Sequence, residues 1–230
     1  MPDEAQSQGR VAAIIVAAGS SRRMKGVDKL LGPLGGRPLV SYSVDAFVRH
    51  PSVDEVIVVA SEANLEGISR TVSGQARALV GGSRRRDSVR NGLQAIGGDC
   101  EYVLVHDAAR PFVNAEMIDA VLDGAREVGA SLCAVPVSDT VKRADPTGRV
   151  SSTVTREGLW LAQTPQGFRT DLLLRAHQSI DINVTDDAAL IELLGEPVKL
   201  VMGSTRNIKV TLPEDLALAE ALLAAAEDEK

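Results

Sequence analysis

Residues 11–29 constrain the fold more than any other stretch of the chain. They begin with an apolar run, Val11-Ala-Ala-Ile-Ile-Val-Ala-Ala18, which has the composition of a strand buried on both faces of a parallel sheet. Small residues take over at Ala17, Ala18, Gly19, Ser20 and Ser21, and four cations follow at Arg22, Arg23, Lys25 and Lys29. Small side chains let backbone N–H groups come close to a ligand, and glycine adopts dihedrals that other residues avoid. Such donors followed by cations suit a phosphate chain, since N–H groups cradle anions and cations neutralise them. A glycine turn alone reads as a tight turn with a solvated basic face. The four cations tip the reading to phosphate. Neither G-x-x-x-x-G-K-[ST] nor G-x-G-x-x-G is present, so this is not the P-loop, and a dinucleotide oxidoreductase is disfavoured.

Downstream, apolar runs and helical patterns alternate. Helical spacing is expected from Pro38 (Val40, Val44, Phe47, Val48), over 62–73, after the glycine turn 81–89, and over 115–128. Strands are expected at 56–60, 77–80, 102–105 and 132–137. That order implies an α/β fold with right-handed crossovers and a mostly parallel sheet. It breaks at 139–154, where a polar hairpin turns at Asp145-Pro-Thr-Gly148. An isolated hairpin is marginal in water, so it is expected to lean on a second subunit. After Thr164-Pro-Gln-Gly167 the pattern gives a helix near 170–177, and then a helix capped by Thr185 with Asp186 and Asp187 in its first turn. Strands at 198–202 and 208–210 and a closing helix over 214–225 complete the chain.

A chain of 230 residues fits one α/β domain, here taken as 1–230 with a flexible 1–10. The net charge of −6 disfavours general binding to nucleic acid or an anionic membrane. The cations are bunched at 22–29 and 84–86, which points to a local anionic ligand. Cys100 and Cys133 have no metal spacing and are expected to be reduced, in a cytoplasmic protein. Ligands of open α/β sheets sit beyond the carboxyl ends of the strands, which brings together 17–29, 81–88 and 106–110. Asp107 is then either a Mg²⁺ ligand or a cap for the next helix. His106 invites an acid/base reading, but a lone histidine beside a strand is more often a packed or hydrogen-bonded residue. Of Arg84, Arg85 and Arg86, one is expected to have a structural or functional role.

The motifs A-A-G-x-x-x-R-M…K (Ala17 to Lys29), G-G-x-x-R-x-D-S-V (Gly81 to Val89), V-H-D-A-A-R-P (Val105 to Pro111), D-T-x-K (Asp139 to Lys142), L-x-x-T-P-Q (Leu161 to Gln166), T-D-D (Thr185 to Asp187) and N-I-K-V-T-x-P-E-D-L (Asn207 to Leu216) occur in order. With them the chain resembles the 2-C-methyl-D-erythritol 4-phosphate cytidylyltransferases of the non-mevalonate isoprenoid pathway. The resemblance covers essentially everything after Arg10. It implies a Rossmann-like nucleotidyltransferase domain with a protruding dimerisation arm at 138–157, acting as a homodimer on CTP and methylerythritol phosphate with Mg²⁺. It implies catalytic roles for Arg23 and Lys29 at the transferred phosphorus, and for Arg156 and Lys209 at the acceptor's phosphate. Ala17, Ala18, Gly19, Gly82 and Ser88 would bind cytosine and ribose, with Asp107 and Ala108 beside the ribose and metal. Ser83, Arg85, Arg110, Thr164 and Thr185 would also bind substrate, and Thr140 and Arg156 would enter the partner's site. Asp28 stands where the family usually has proline, and the spacing from Arg23 to Lys29 is short. The near alternative is a ribitol 5-phosphate cytidylyltransferase, which shares the CTP motifs; the distant one is an inactive nucleotide-binding protein.

Overall fold

The structure, a computed structural model, describes residues 9–19 and 29–228. In chain order the elements are β1 (Arg10–Ala17), β2 (Pro33–Leu34), β3 (Arg37–Pro38), α1 (Leu39–Val48), β4 (Glu55–Ala60), α2 (Leu65–Thr71), β5 (Arg77–Val80) and α3 (Arg85–Ala95). They continue with β6 (Cys100–Asp107), α4 (Ala115–Val128), β7 (Ala130–Pro136), β8 (Val141–Ala144), β9 (Val150–Val154) and β10 (Trp160–Arg169). The last are α5 (Thr170–Ser179), α6 (Ala188–Leu193), β11 (Lys199–Met202) and α7 (Pro213–Asp228).

Seven strands form one sheet in the order β11-β7-β10-β6-β1-β4-β5. β1 lies near its middle, parallel to both β4 and β6, and is buried on both faces, as its composition implies. Val11, Ala13, Ile15 and Ala17 belong to the core covered by α1, α2, α4 and α7, while Ile14 packs on the opposite side with Val89 of α3 and Leu173 of α5. This two-sided burial is what an alternating strand–helix order produces. α4 fills 115–128 as expected; Asn114 accepts the Met117 N–H at its start, and Gly129 ends it at φ 95°.

Several expectations need correction. Residues 160–169 form a full strand, β10, which pairs antiparallel with both β6 and β7. Topology explains its direction: the chain leaves β7 at the carboxyl end of the sheet, makes the hairpin, and must run back down. Gly167 lets α4 approach this strand, since a Cβ there would lie 2.6 Å from Val121 Cγ1. Residues 208–210 are not a strand; Val210 N–H bonds to Ala109 O instead. Thr185 does not cap α6: the residue before the helix is Asp187, and the Asp186 carboxylate accepts the Ala189 N–H. Arg10, counted with the N-terminal segment, starts β1 and pairs with Asp99. The remainder of the expected flexible segment, 1–8, lies outside the described residues.

The hairpin β8–β9 is a separate two-stranded sheet, closed by a turn in which Asp145 accepts N–H groups from Thr147 and Arg149. Most of its residues are exposed, Val150 to 64%. Near its base Leu159, Trp160 and Leu161 are also exposed.

His106 illustrates how the core accommodates a titratable group. It is fully buried in β6, its ring 5.1 Å from that of Phe47. Thr164 Oγ1 accepts the Asp107 N–H, so its own proton goes to His106 Nδ1, which leaves Nε2 to donate to Arg110 O. Burial pushes the imidazole pKa down to about 4, against the pull of Asp107. Its unfolded value is near 6.5, so its contribution to stability is complete above pH 6.5 and is lost as pH falls toward 4. The expected loss between pH 7 and pH 5 is about 2 kcal/mol. Asp107 and Asp187, held below the usual carboxylate range, act only at lower pH. Urea unfolding at both pH values should therefore show a shallower pH dependence for His106→Gln than for the wild type; equal slopes would contradict a buried neutral histidine.

Candidate active site

A cavity of about 410 Å³ opens at the carboxyl ends of β1, β5 and β6, where an open α/β sheet places its ligands. Ala18 and Gly19 follow β1, Gly82, Ser83, Arg85 and Ser88 come from the β5–α3 turn and the start of α3, and Asp107 ends β6. Lys29 and Lys209 also line it, brought from opposite ends of the sequence. The sequence expectation that three polar segments meet here holds for their described parts. Arg23 and the rest of 20–28 lie outside the described residues.

The β5–α3 turn is shaped by close packing. A Cβ on Gly82 would lie 2.3 Å from Asp87 Cβ, and one on Gly81 would lie 2.6 Å from Ser88 Oγ. The Gly82 N–H bonds to Ser88 Oγ, and Asp87 accepts the Arg84 N–H and the Ser83 hydroxyl. α3 thus begins with its first turn tied back onto the glycine loop. On the other side, Ala108 N–H bonds to Val16 O, and Ser43 Oγ donates to the Ala108 and Arg110 carbonyls.

Asp107 sits at the centre of the charge arrangement. Lys209 Nζ donates to its Oδ2 at 2.7 Å, Arg85 Nε approaches Oδ1 at 3.4 Å, and Arg110 Nε lies 4.0 Å from Oδ2. Burial alone would raise its pKa, but Arg85 and Lys209 outweigh burial and hold the carboxyl well below the usual range. Among the described residues it is the single carboxylate lining the cavity, amid Lys29, Lys209, Arg84 and Arg85. Lys29 Nζ donates to Val210 O at 2.7 Å, so Lys29 and the 207–211 segment meet beside the cavity. Arg110 Nη1 holds Asn207 O, and Asn207 in turn bonds to Thr164 O.

The arginine run departs from expectation, since all three side chains are engaged. Arg84 pairs with Asp87 and Asp181, Arg85 with Asp107 and Asp187, and buried Arg86 with Asp181 and the His177 carbonyl. Most of these partners lie far along the chain, which no local pattern reveals. Thr164 is buried beneath Asp107 as a backbone anchor and does not line the cavity. Ala17 and Ala108 are buried and do not line the cavity; their neighbours Val16, Ala18 and Ala109 do. Thr185 is exposed on the loop before α6. Thr140 and Arg156 are exposed on the hairpin, where Arg156 bonds to Ser138 O, and neither reaches this chain's cavity. Gln166 and Asp187 stand in the quoted motifs and His177 at the end of an expected helix, but no sequence pattern assigned any of these buried residues a partner. Gln166 Oε1 accepts the N–H groups of Asp187 and Ala188, and His177 Nε2 lies 3.3 Å from Asp187 Oδ1.

Among the described residues no cluster of three His, Cys, Asp or Glu side chains forms a metal cage. The ionised Asp107 carboxylate at the cavity wall is nevertheless the kind of donor that fits Mg²⁺, which commonly takes one or two carboxylates and completes its shell with substrate phosphates and water. No described helix is long and apolar enough to cross a membrane.

Comparison with known proteins agrees with this geometry. The family model described as IspD, 2-C-methyl-D-erythritol 4-phosphate cytidylyltransferase, matches residues 11–225. A 2-C-methyl-D-erythritol 4-phosphate cytidylyltransferase of Dehalococcoides mccartyi strain CBDB1 is 43% identical over 219 residues, covering 93% of this chain and 96% of that protein. The crystal structure of a 4-diphosphocytidyl-2C-methyl-D-erythritol synthase from Anaerococcus prevotii superposes with a TM-score of 0.83 at 32% identity, covering 94% of this chain and 99% of that one. The 2-C-methyl-D-erythritol 4-phosphate cytidylyltransferase of Thermus thermophilus gives a TM-score of 0.79 at 36% identity, covering 94% and 99%. The chain belongs to the 2-C-methyl-D-erythritol 4-phosphate cytidylyltransferase family.

Proposed function

We propose that the protein transfers the cytidylyl group of CTP to the phosphate of 2-C-methyl-D-erythritol 4-phosphate, releasing pyrophosphate. The observation that carries this reading is the cavity at the strand ends, where one ionised carboxylate, Asp107, faces Lys29 and Lys209 beside a glycine turn, in a chain of this family. A phosphate oxygen of the acceptor attacks the α-phosphorus; the new O–P bond forms as the bond to the β-phosphate oxygen breaks. The nucleophile is already an anion, so no general base is needed, which accords with a neutral, enclosed His106. Catalysis then rests on positioning and on charge placed where the transition state develops it.

In this reading Lys29, together with Arg23, neutralises charge on the transferred phosphorus, and Lys209 holds the acceptor's phosphate. The glycine turn at Gly82, with Ser83 and Ser88, and the backbone of Ala17, Ala18 and Gly19 take the nucleoside. Asp107 would hold Mg²⁺, which when bound supplies charge neutralisation to the triphosphate. Arg85 and Arg110 hold Asp107, and Thr164 fixes its backbone. Thr185 stands on the acceptor side. The free, buried cysteines fit a cytoplasmic enzyme. A pyrophosphate-release assay with each of the four nucleoside triphosphates, against methylerythritol phosphate and ribitol phosphate, tests the assignment. CTP with methylerythritol phosphate should lead, and Lys29→Ala should lower kcat by about 10²–10³-fold. Comparable turnover with ATP or ribitol phosphate, or a Lys29→Ala kcat within about threefold of wild type, would overturn it.

A homodimer through the 138–157 arm belongs to the same reading. Exposed Val150, Trp160 and Leu161 and a hairpin with no core of its own support it, since a twofold partner supplies both arms with a surface. Arg156 and Thr140 would then serve the neighbour's acceptor site. Mixing Arg156→Ala chains with Lys209→Ala chains should restore part of the activity, because one site of each mixed dimer carries neither defect. Two inactive variants that stay inactive after verified subunit exchange would place both residues in the same chain's site.

A further inference from the structure

Asp187 is the most enclosed carboxylate among the described residues, 0% exposed, and a buried charge is costly unless it is paired. Its position before α6 suggests a helix cap, yet its side chain caps nothing. It reaches instead to α3, 102 residues earlier, where Oδ2 accepts from Arg85 Nη1, while Oδ1 faces His177 Nε2. Its backbone is fixed separately, by Gln166 Oε1 accepting the N–H groups of Asp187 and Ala188. Arg85 is thereby gripped at two points, Nη1 by Asp187 and Nε by Asp107, and its Nη2 has no partner among the described residues. A guanidinium held by one contact can swing; held by a two-point fork it presents one orientation.

We infer that Asp187, backed by His177, is a positioning residue that aims Arg85 at Asp107 and the cavity. The chain Asp107–Arg85–Asp187–His177 runs from the cavity through α3 to α5. It also anchors the start of α6 to α3, while Asp181 at the other end of the same loop is held by Arg84 and Arg86. Thr185 rides between these two anchors. The inference rests on the proposed cytidylyl transfer, since Arg85 matters here only as part of that site.

The test is a double-mutant cycle on kcat/KM for CTP, using Asp187→Asn, Arg85→Met and the double variant. Asp187→Asn keeps the shape and should lower kcat/KM by about 10–100-fold, the scale for losing a group that orients a ligand-holding residue. If Asp187 acts through Arg85, the double variant should be no worse than Arg85→Met, within about twofold. A purely structural role would instead multiply the two losses. Should Asp187→Asn not fold, Asp187→Glu keeps the charge, moves the carboxylate by one methylene, and is read by the same two outcomes. Multiplicative losses, or a folded Asp187 variant with wild-type kcat/KM, would overturn the inference. A wild-type protein that releases no pyrophosphate from CTP and methylerythritol phosphate would overturn the proposed function instead, so the two failures are distinct.

Discussion

The interaction on which the rest of the site depends is the ion cluster around Asp107. A carboxylate at the end of a buried strand is expensive to keep charged, and three cations from three parts of the chain, Arg85, Arg110 and Lys209, offset that cost. Each cation is itself tied down: Arg85 by Asp187, Arg110 by the Asn207 carbonyl, and Lys209 by Asp107. The cluster therefore joins the side of the cavity built on β5 and α3 to the 207–211 segment. Electrostatic preorganisation of this kind acts most strongly in a site shielded from water.

The architecture serves that cluster. The parallel strands bring their carboxyl ends to one side, and β10 then passes antiparallel between β6 and β7, setting Thr164 under Asp107 and Gln166 under Asp187. The polar residues of β10 are buried because each has a distant partner: Gln163 with Ser204 and Asn207, Thr164 with His106, Gln166 with Asp186 and the backbone before α6. A strand in the middle of the sheet can carry so many polar groups only when they are satisfied in this way.

That is also why β10 was illegible in the sequence. Residues 160–169 contain a proline, a glycine and three buried polar side chains, so they show neither the apolar run of a core strand nor a clean alternation. The strands at 11–17 and 55–60 were readable because their burial is apolar, and the one at 77–80 because a glycine pair follows it directly. The described parts of the motif segments at 17–29, 81–88 and 106–110 were legible as the walls of one cavity because strand polarity brings them together. Arg84–Arg86 and Asp187 were not. A run of arginines on a loop looks solvated until carboxylates from the α5–α6 loop, nearly a hundred residues on, are seen to enclose it. Long-range pairing of charges leaves no periodic trace, whereas apolar burial does.

The proposed role of Asp107 as the carboxylate that would hold Mg²⁺ is tested most directly by measuring CTP binding calorimetrically, with and without Mg²⁺, for the wild type and for Asp107→Asn. If Asp107 holds the ion, Mg²⁺ should tighten CTP binding to the wild type and leave the variant's affinity unchanged. A folded Asp107→Asn protein whose CTP affinity rises with Mg²⁺ as much as the wild type's would contradict that role, and with it the view that the charge cluster exists to present this carboxylate.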